Sequence, residues 1–143
     1  MKTKSVKFSG IILIVILSLN CNSKRIYKQD GVFEGKSQAN YKDEPYVGIS
    51  KITIENGKIS KIDFQIIDTS KNEVFDEKYE KHFIGNELYI NQCRNDWKGV
   101  QNYPKKLVEK QIIDSVDAVS GATWSYNIFK SSVKVALNEN VKK

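Results

Sequence analysis

The sequence predicts one small α+β domain: an antiparallel sheet with a hairpin, packed against helices and ending in a C-terminal amphipathic helix. Apolar and polar residues alternate with the two-residue period of strands between residues 46 and 66, and the period lengthens to that of helices after residue 70. The chain has 143 residues, of which 40% are hydrophobic. It is therefore too short for an enzyme of two large lobes and too apolar for wholesale disorder.

The N-terminal half contains three predicted strands. The first spans 31–39, and the second spans 46–55 and is rich in Val, Ile, Thr and Tyr. Asn56-Gly57 follows, and this dipeptide is a strong hairpin signal because both turn positions need a positive φ. In the third strand, Ile62, Phe64 and Ile66 alternate with Lys61, Asp63 and Gln65. One face of the sheet is therefore expected to be buried and the other solvated.

The C-terminal half has the periodicity of helices. One predicted helical face carries Phe75, Tyr79, His82 and Phe83, while 88–90 is too short to assign. Asn102-Tyr103-Pro104 predicts a helix start, because Asn is a common N-cap and proline is tolerated in the first turn. After a brief extended piece at 116–119, a final helix begins near Ser125. Its apolar stripe consists of Phe129, Val133, Ala136 and Leu137.

The first twenty-one residues have the pattern of an export signal. Three lysines precede the apolar run 11–19, and Asn20-Cys21 follows. A helix of that length reaches only about 14 Å against roughly 30 Å of hydrocarbon, so it is too short for a stable single-pass anchor. Cys21 resembles the cysteine of a bacterial lipoprotein signal, which is diacylated and becomes the N-terminus. A plain secretory signal and an uncleaved anchor are the alternatives, since Ser18 and Asn20 depart from the usual signal.

These boundaries predict a signal peptide at 1–20, a tether at 21–29 and a domain at 30–143. We expect an exported protein, lipid-anchored to the extracytoplasmic face of a bacterial membrane. The formal net charge of +6 falls to +3 without the three lysines of the signal, since 20 basic residues then oppose 17 acidic ones. So modest a charge does not predict nucleic-acid binding.

Cysteine and histidine are scarce. With Cys21 lipidated, Cys93 has no intramolecular disulfide partner, and a structural, partly buried thiol is the favoured interpretation. A catalytic couple of Cys93 with His82 is the alternative. One His and two Cys argue against a zinc site, which needs three or four ligands.

Segment 117–125, Asp-Ala-Val-Ser-Gly-Ala-Thr-Trp-Ser, is the most informative part of the chain. It resembles the FMN-binding domain family, the module shared with the C and G subunits of the Nqr and Rnf ion-pumping redox complexes. The family motif reads D-x-x-[ST]-G-A-[TS]-x-[ST], and every fixed position is met. The resemblance implies that Thr123 carries FMN through a phosphoester bond, installed from FAD by a separate flavin transferase. The candidate cofactor-binding residues are Asp117, Ser120, Gly121, Ala122, Thr123, Trp124 and Ser125.

The resemblance extends over about residues 30–137. Segments 31–35, 46–49 and 52–59 resemble the opening strands and hairpin of the family. Segments 76–79 and 103–109 look like those of single-domain, lipid-anchored members linked to extracellular electron transfer. The turn at 68–71 departs from the Glu-Thr-Pro-Gly-like turn of many members, which bears on the contacts of that loop and not on the attachment residue.

The residue types of the motif suit this chemistry. An alcohol acceptor must be exposed, so Gly121 and Ala122 give clearance, and Gly121 permits a turn with positive φ. Thr123 lies just before a helix start, where free N–H groups and the helix dipole favour an anion. We expect Ser125 to cap that helix or to donate to a phosphate oxygen, and Asp117 to serve docking or to share a metal. Trp124 is either an aromatic flank of the flavin or an ordinary packed residue.

The predicted function is that of an electron carrier rather than a stand-alone enzyme, exchanging electrons with redox partner proteins or small acceptors. The flavin would perform the redox chemistry, and the protein would supply attachment and orientation. The alternatives are a flavin-bearing subunit of a reductase or ion-pumping redox complex, and a cofactor-free binding lipoprotein.

Overall fold

The computed structural model describes residues 26–37, 44–138 and 140, so the predicted signal peptide, Cys21 and the end of the first predicted strand lie outside the described residues. Four antiparallel strands form one sheet in the order β1-β2-β3-β4, and two helices pack against it, which confirms the predicted α+β class. The strands are β1 at Gly31–Lys36, β2 at Tyr46–Glu55, β3 at Lys58–Asp68 and β4 at Glu73–Val74. The helices are α1 at Glu87–Lys110 and α2 at Thr123–Leu137, and short 3-10 turns lie at Tyr79–Phe83 and Ile113–Ser115. No helix in these described ranges is both long and apolar enough to cross a bilayer.

The predicted hairpin joins β2 to β3. Asn56 and Gly57 adopt φ values of 54° and 71°, the left-handed conformation that this turn demands. A register shift at Thr53/Ile54 pairs Ile54 with Ile59. Because of this bulge, Ile59 and Ile62 face the same side of the sheet although three positions separate them, and both are buried with Ile54 in the core.

Two glycines let α2 lie close against the sheet. A Cβ at Gly35 of β1 would be 2.1 Å from the carbonyl oxygen of Ser132, and one at Gly48 of β2 would be 2.4 Å from Ile128 Cγ2. Between these contacts, the buried hydroxyls of Ser50 and Ser132 are hydrogen-bonded at 2.6 Å. The sheet therefore fixes the axis of α2, and with it the position of the helix N-terminus.

The prediction of a helix start at residues 102–104 was wrong, because α1 begins fifteen residues earlier and continues through Pro104. Residues 88–90 belong to its first turn, where the Asn86 side chain caps the helix by accepting from the N–H of Tyr89. An internal proline costs about 3 kcal/mol. Burial of a stripe along the helix offsets that cost: Ile90, Cys93, Val100, Tyr103 and Leu107.

The predicted helical face at residues 75–83 is mostly not helical. Phe75 is extended, and its N–H donates to Ile66 O beside the short strand β4. The Asp76 carboxylate then accepts from the N–H of Lys78 and turns the chain into a single 3-10 turn. Phe75 and Tyr79 are both buried. Their spacing therefore predicted burial correctly, but the helical conformation inferred from it was wrong.

The predicted tether at 21–29 is too long at its C-terminal end. Tyr27 is only 2% exposed, its hydroxyl donates to Gln111 O, and the N–H groups of Ile26 and Tyr27 donate to Gly57 O. Gln29 is held by the side chain of Asn140. Residues 26–29 therefore belong to the folded domain, because an aromatic side chain in this segment completes the core.

Candidate functional site

The motif 117–125 forms the loop between the helices and the first turn of α2. Thr123 is the first residue of α2 and is exposed, while Ala122, the N-cap residue before it, is fully buried. Gly121 has a φ of 75°, as the predicted turn requires. Ser120 and Asp117 are exposed, and Asp117 O lies 3.4 Å from Lys106 Nζ. The predicted site residues thus lie together as one continuous loop.

Side chains of α1 hold this loop from below. The Tyr103 hydroxyl donates to Ala122 O at 2.7 Å and accepts from the N–H of Val119 at 3.2 Å. The Gln92 amide donates to Gly121 O at 2.9 Å. Burial raises the pKa of Tyr103, so the phenol keeps its proton at neutral pH and remains a donor to the loop.

A buried carboxylate joins the two helices at the site. Asp96 Oδ1 accepts from the N–H of Ser125 at 3.1 Å and from its hydroxyl at 2.8 Å, while Gln92 Nε2 donates to Asp96 Oδ2 at 2.7 Å. Asp96 is 2% exposed and Ser125 is fully buried. The predicted role of Ser125 in capping the helix or binding phosphate was therefore wrong: Asp96 supplies the cap, and the serine hydroxyl is turned inward.

Backbone clearance makes this geometry possible at two glycines. A Cβ at Gly99 would lie 2.7 Å from the Tyr103 ring and 2.9 Å from Ser125 Oγ, so glycine lets the first turn of α2 approach α1. A Cβ at Gly121 would lie 3.0 Å from the Asn95 amide nitrogen. Positive φ and limited space both require glycine at position 121.

Trp124 points inward from the site. Its ring packs edge-on against Tyr46, with 5.0 Å between ring centroids, and lies 5.4 Å from Phe75. Its indole nitrogen lies 3.4 Å from Glu44 Oε2. The side chain is half-buried at the edge of a core cluster, so the structure favours the packed interpretation over a fully exposed aromatic flank.

The turn that departs from the family pattern is built on a buried carboxylate. Asp68 accepts from the backbone and hydroxyl of Ser70, from Lys71 Nζ and from the Tyr79 hydroxyl, which in turn lies 3.1 Å from the Tyr46 hydroxyl. Burial alone raises the pKa of Asp68, but these hydrogen bonds outweigh it and hold that pKa well below its usual range. The network fixes Tyr46, and thereby supports the ring of Trp124.

The cysteine and the histidine have separate environments. Cys93 is 8% exposed, as expected of the predicted buried thiol, and burial raises its pKa to about 11. His82 Nε2 lies 2.8 Å from Glu73 Oε2. Within the described ranges no cluster of three or more His, Cys, Asp or Glu residues is arranged to hold a metal ion.

The residues present at the loop fit a phosphate-bearing group. Thr123 is an exposed residue with a hydroxyl side chain, preceded by Gly121 and the buried Ala122, at the start of a fifteen-residue helix. Asp96 takes the N–H of Ser125, and the N–H groups of Thr123 and Trp124 are among those that an α-helix leaves without an intrahelical acceptor. Such a helix start favours an anion.

Comparison with known proteins decides the family. Residues 48–138 match the FMN-binding domain, which is well over half of the chain. The chain belongs to the FMN-binding domain family. It is a flavin-binding protein, and its family motif lies in the loop just described. None of the curated proteins compared with the chain is a significant match.

Two solved structures are similar to this FMN-binding domain. The crystal structure of the CPE2226 protein from Clostridium perfringens is 26% identical, with a TM-score of 0.55, over 77% of this chain and 87% of that one. A solution structure of a Clostridium thermocellum protein is 18% identical, with a TM-score of 0.46, over 80% of this chain and 95% of that one. The first supports the architecture of sheet and helices described above.

Sequence reasoning missed the residues of α1 that hold the site. Gln92, Asp96, Gly99 and Tyr103 lie three or four positions apart, which is the spacing of one helical face. A helix drawn from residue 87 would have placed them together and opposite the motif. The helix start that we predicted at residues 102–104 concealed that face.

Proposed function

We propose that this chain is a membrane-tethered, extracytoplasmic electron carrier with FMN attached to Thr123 by a phosphoester bond. The observation that carries the proposal is the exposed hydroxyl of Thr123 at the first residue of α2, in a loop whose carbonyls are held by Tyr103 and Gln92. The bound flavin would supply the redox chemistry. The chain's own residues would hold and orient the bound group.

Those residues hold and orient the attachment point. The N–H groups at the start of α2 favour the single negative charge that a phosphodiester retains, an effect of about 0.3–1 kcal/mol. Trp124 anchors the first turn in the core cluster, and Asp96 anchors it to α1. Thr123 thus stands on a rigid base while its own side chain stays accessible.

The attachment reaction needs a second protein. Asp96, the carboxylate of α1 that contacts the first turn of α2, is buried and already accepts from Ser125 and Gln92, so it is not a base for the Thr123 hydroxyl. We propose that a flavin transferase joins the FMN phosphate of FAD to Thr123 Oγ. AMP leaves as the diphosphate bond breaks, and the hydroxyl proton is released. The chain is the substrate of that enzyme.

Co-expression with a flavin transferase tests the proposal. We expect the intact mass to rise by FMN less one water, with a fluorescent flavin band that survives a denaturing gel. Thr123→Ala should lose the band and keep its far-UV circular dichroism, Thr123→Ser should retain part of it, and Ser115→Ala, at an exposed serine outside the motif, should keep it. A band that persists in Thr123→Ala would overturn the assignment.

Tethering and carrier function have their own measurements. Detergent partitioning should place the wild type in the detergent phase and Cys21→Ala in the aqueous phase; an aqueous wild type contradicts the lipid anchor.

Reduced protein should pass electrons one for one to a soluble flavin acceptor, since Cys93 is buried and His82 is paired with Glu73 rather than forming a catalytic couple. Saturation at low acceptor concentration in stopped flow would instead indicate a substrate site.

A further inference from the structure

The two ends of α2 lie in different surroundings. Its first residue is Thr123, whereas its last turn lines a groove together with Ile26 and Tyr27, where the described chain begins. Fourteen residue steps at 1.5 Å separate Thr123 from Leu137, a distance of about 21 Å. The N-terminal segment therefore joins the domain at the end opposite the motif loop.

The groove at this end is apolar and open. It has a volume of about 270 Å³, and its apolar lining residues are Ile26, Ile112, Ile113, Val133 and Leu137. Ile112 is 50% exposed. It is presented there because Gln111 ends α1 in the left-handed conformation, with φ at 67°, and turns the chain outward.

Lysines lie at this groove. Lys130 and Lys134 both contact Asp114 Oδ1, at 2.9 and 3.2 Å, so two cations share one carboxylate. Lys110, the last residue of α1, follows Glu109 and lies two positions before Ile112. The adjacent hairpin is balanced, with Glu55 against Lys58. An exposed isoleucine within a basic rim fits an anionic lipid surface.

We infer that this end of the domain is a membrane-facing surface, in which Ile112 enters the interfacial region and the lysines around it contact anionic lipid headgroups. The inference rests on the proposed lipid anchor at Cys21. Five residue steps separate Cys21 from Ile26, which is held by Gly57, and a fully extended chain spans at most about 18 Å over that length. The anchored domain is thus held with this end nearest the bilayer.

The orientation has a consequence for partners. With the groove against lipid, α2 carries Thr123 away from the membrane. The exposed side chains of Ile84, three residues before α1, and of Leu88, in its first turn, lie at the far end as well. A flavin transferase and a redox partner would approach from the aqueous side.

Site-specific fluorescence on the processed full chain in vesicles tests the surface. An environment-sensitive maleimide is placed at Ile112→Cys and, as the matched control, at Leu88→Cys, which is 78% exposed and about 33 Å along α1 from Lys110. Both variants are made in a Cys93→Ala background, so that the native thiol, which is 8% exposed, cannot take the label. In vesicles of phosphatidylcholine and phosphatidylglycerol, we expect lipid-borne quenchers to quench the label at 112 several-fold more than the label at 88.

Charge reversal supplies the second arm. Lys110→Glu combined with Lys134→Glu should abolish the extra quenching at 112 that phosphatidylglycerol brings over pure phosphatidylcholine. Lys36→Glu combined with Lys98→Glu, which removes as much charge elsewhere, should not, and circular dichroism should show both pairs folded. Equal quenching at both labels, stronger quenching at 88, or no response to the lipid charge would overturn the inference.

Failure of the surface and failure of the proposed function are separable. Covalent flavin on Thr123 is read on a denaturing gel without vesicles, so it stands or falls independently of the quenching. If the wild-type chain partitions into the aqueous phase, the anchor and the membrane-facing surface are both rejected while the attachment result remains.

Discussion

The carboxylate of Asp96 on α1 accepts hydrogen bonds from both the backbone N–H and the hydroxyl of Ser125 on α2. This link lies two residues after Thr123 and is buried. It caps the helix from another element, and the inward turn of the serine leaves threonine as the hydroxyl that faces solvent at the helix start. The motif therefore includes the proposed attachment residue and a second residue that holds it in place.

Breaking this link should lower the free energy of unfolding, and the effects of substituting Asp96 and Ser125 should be coupled. Asp96→Ala leaves the buried N–H of Ser125 without its acceptor, so we expect a loss of about 1–3 kcal/mol in the free energy of unfolding. Ser125→Ala should cost about 1 kcal/mol, because the backbone hydrogen bond to Asp96 survives. In a double-mutant cycle by urea unfolding, the combined loss should fall short of the sum by about 0.5 kcal/mol or more. Strict additivity would contradict the coupling.

Substitution of Gly121 should reduce flavin attachment. Gly121→Ala forces alanine into a φ of 75° and puts its Cβ 3.0 Å from the Asn95 amide, which shifts the loop before Thr123. Gly85→Ala is the matched control, since Gly85 has a φ of 88° but open space around its Cβ position. Both variants should lose about 1–2 kcal/mol of stability from the left-handed backbone.

Only Gly121→Ala should also lower the yield of covalent flavin, measured by in-gel fluorescence after co-expression with the transferase. An equal yield in the two glycine variants would show that the contact with Asn95 does not shape the loop.

Acid should destabilise the domain through Asp68. The pKa of Asp68 in the folded chain is held below its unfolded value of about 3.9, so its stabilising contribution is present above that value and is lost as the pH falls toward the lower folded value. We expect the free energy of unfolding to fall between pH 5 and pH 3, as measured by urea unfolding, and Asp68→Asn to flatten this dependence. The exposed-site variant Asp63→Asn should leave it steep. Equal slopes in all three would show that other carboxylates dominate.

The sheet and the motif could be read from the sequence because their signals are local. Alternation along β3 and the Asn56-Gly57 turn act over neighbouring residues, and the left-handed turn has few other residue types to choose from. The same holds for the loop at Gly121, whose positive φ was predicted from glycine and confirmed.

The support from α1 depended on contacts that local signals do not report. Proline disfavours a helix interior, yet the burial of Tyr103 and Leu107 on either side of Pro104 keeps α1 continuous. The side chain of Asp96 reads as an ordinary surface carboxylate until α2, twenty-nine residues away, brings Ser125 to it. Partners so distant in sequence leave no periodic pattern. The loop could therefore be predicted from the sequence, whereas the contacts from α1 that hold it could not.

The N-terminal boundary of the folded domain can be tested at Tyr27. Tyr27 is buried in the core with Leu137, so Tyr27→Ala should lower the free energy of unfolding by about 3–5 kcal/mol, the usual cost of removing a buried aromatic ring. Gln29→Ala, two residues on, keeps its backbone hydrogen bonds to Asn140 and should change stability by less than about 0.5 kcal/mol.

Burial raises the pKa of Tyr27 to about 12, so the stability of the wild type should hold below about pH 10 and decline as the pH rises toward 12. In Tyr27→Phe that part of the alkaline decline should vanish. Urea titrations at pH 7 and pH 11 measure both effects, and a Tyr27→Ala variant as stable as the wild type would return residues 26–29 to the tether.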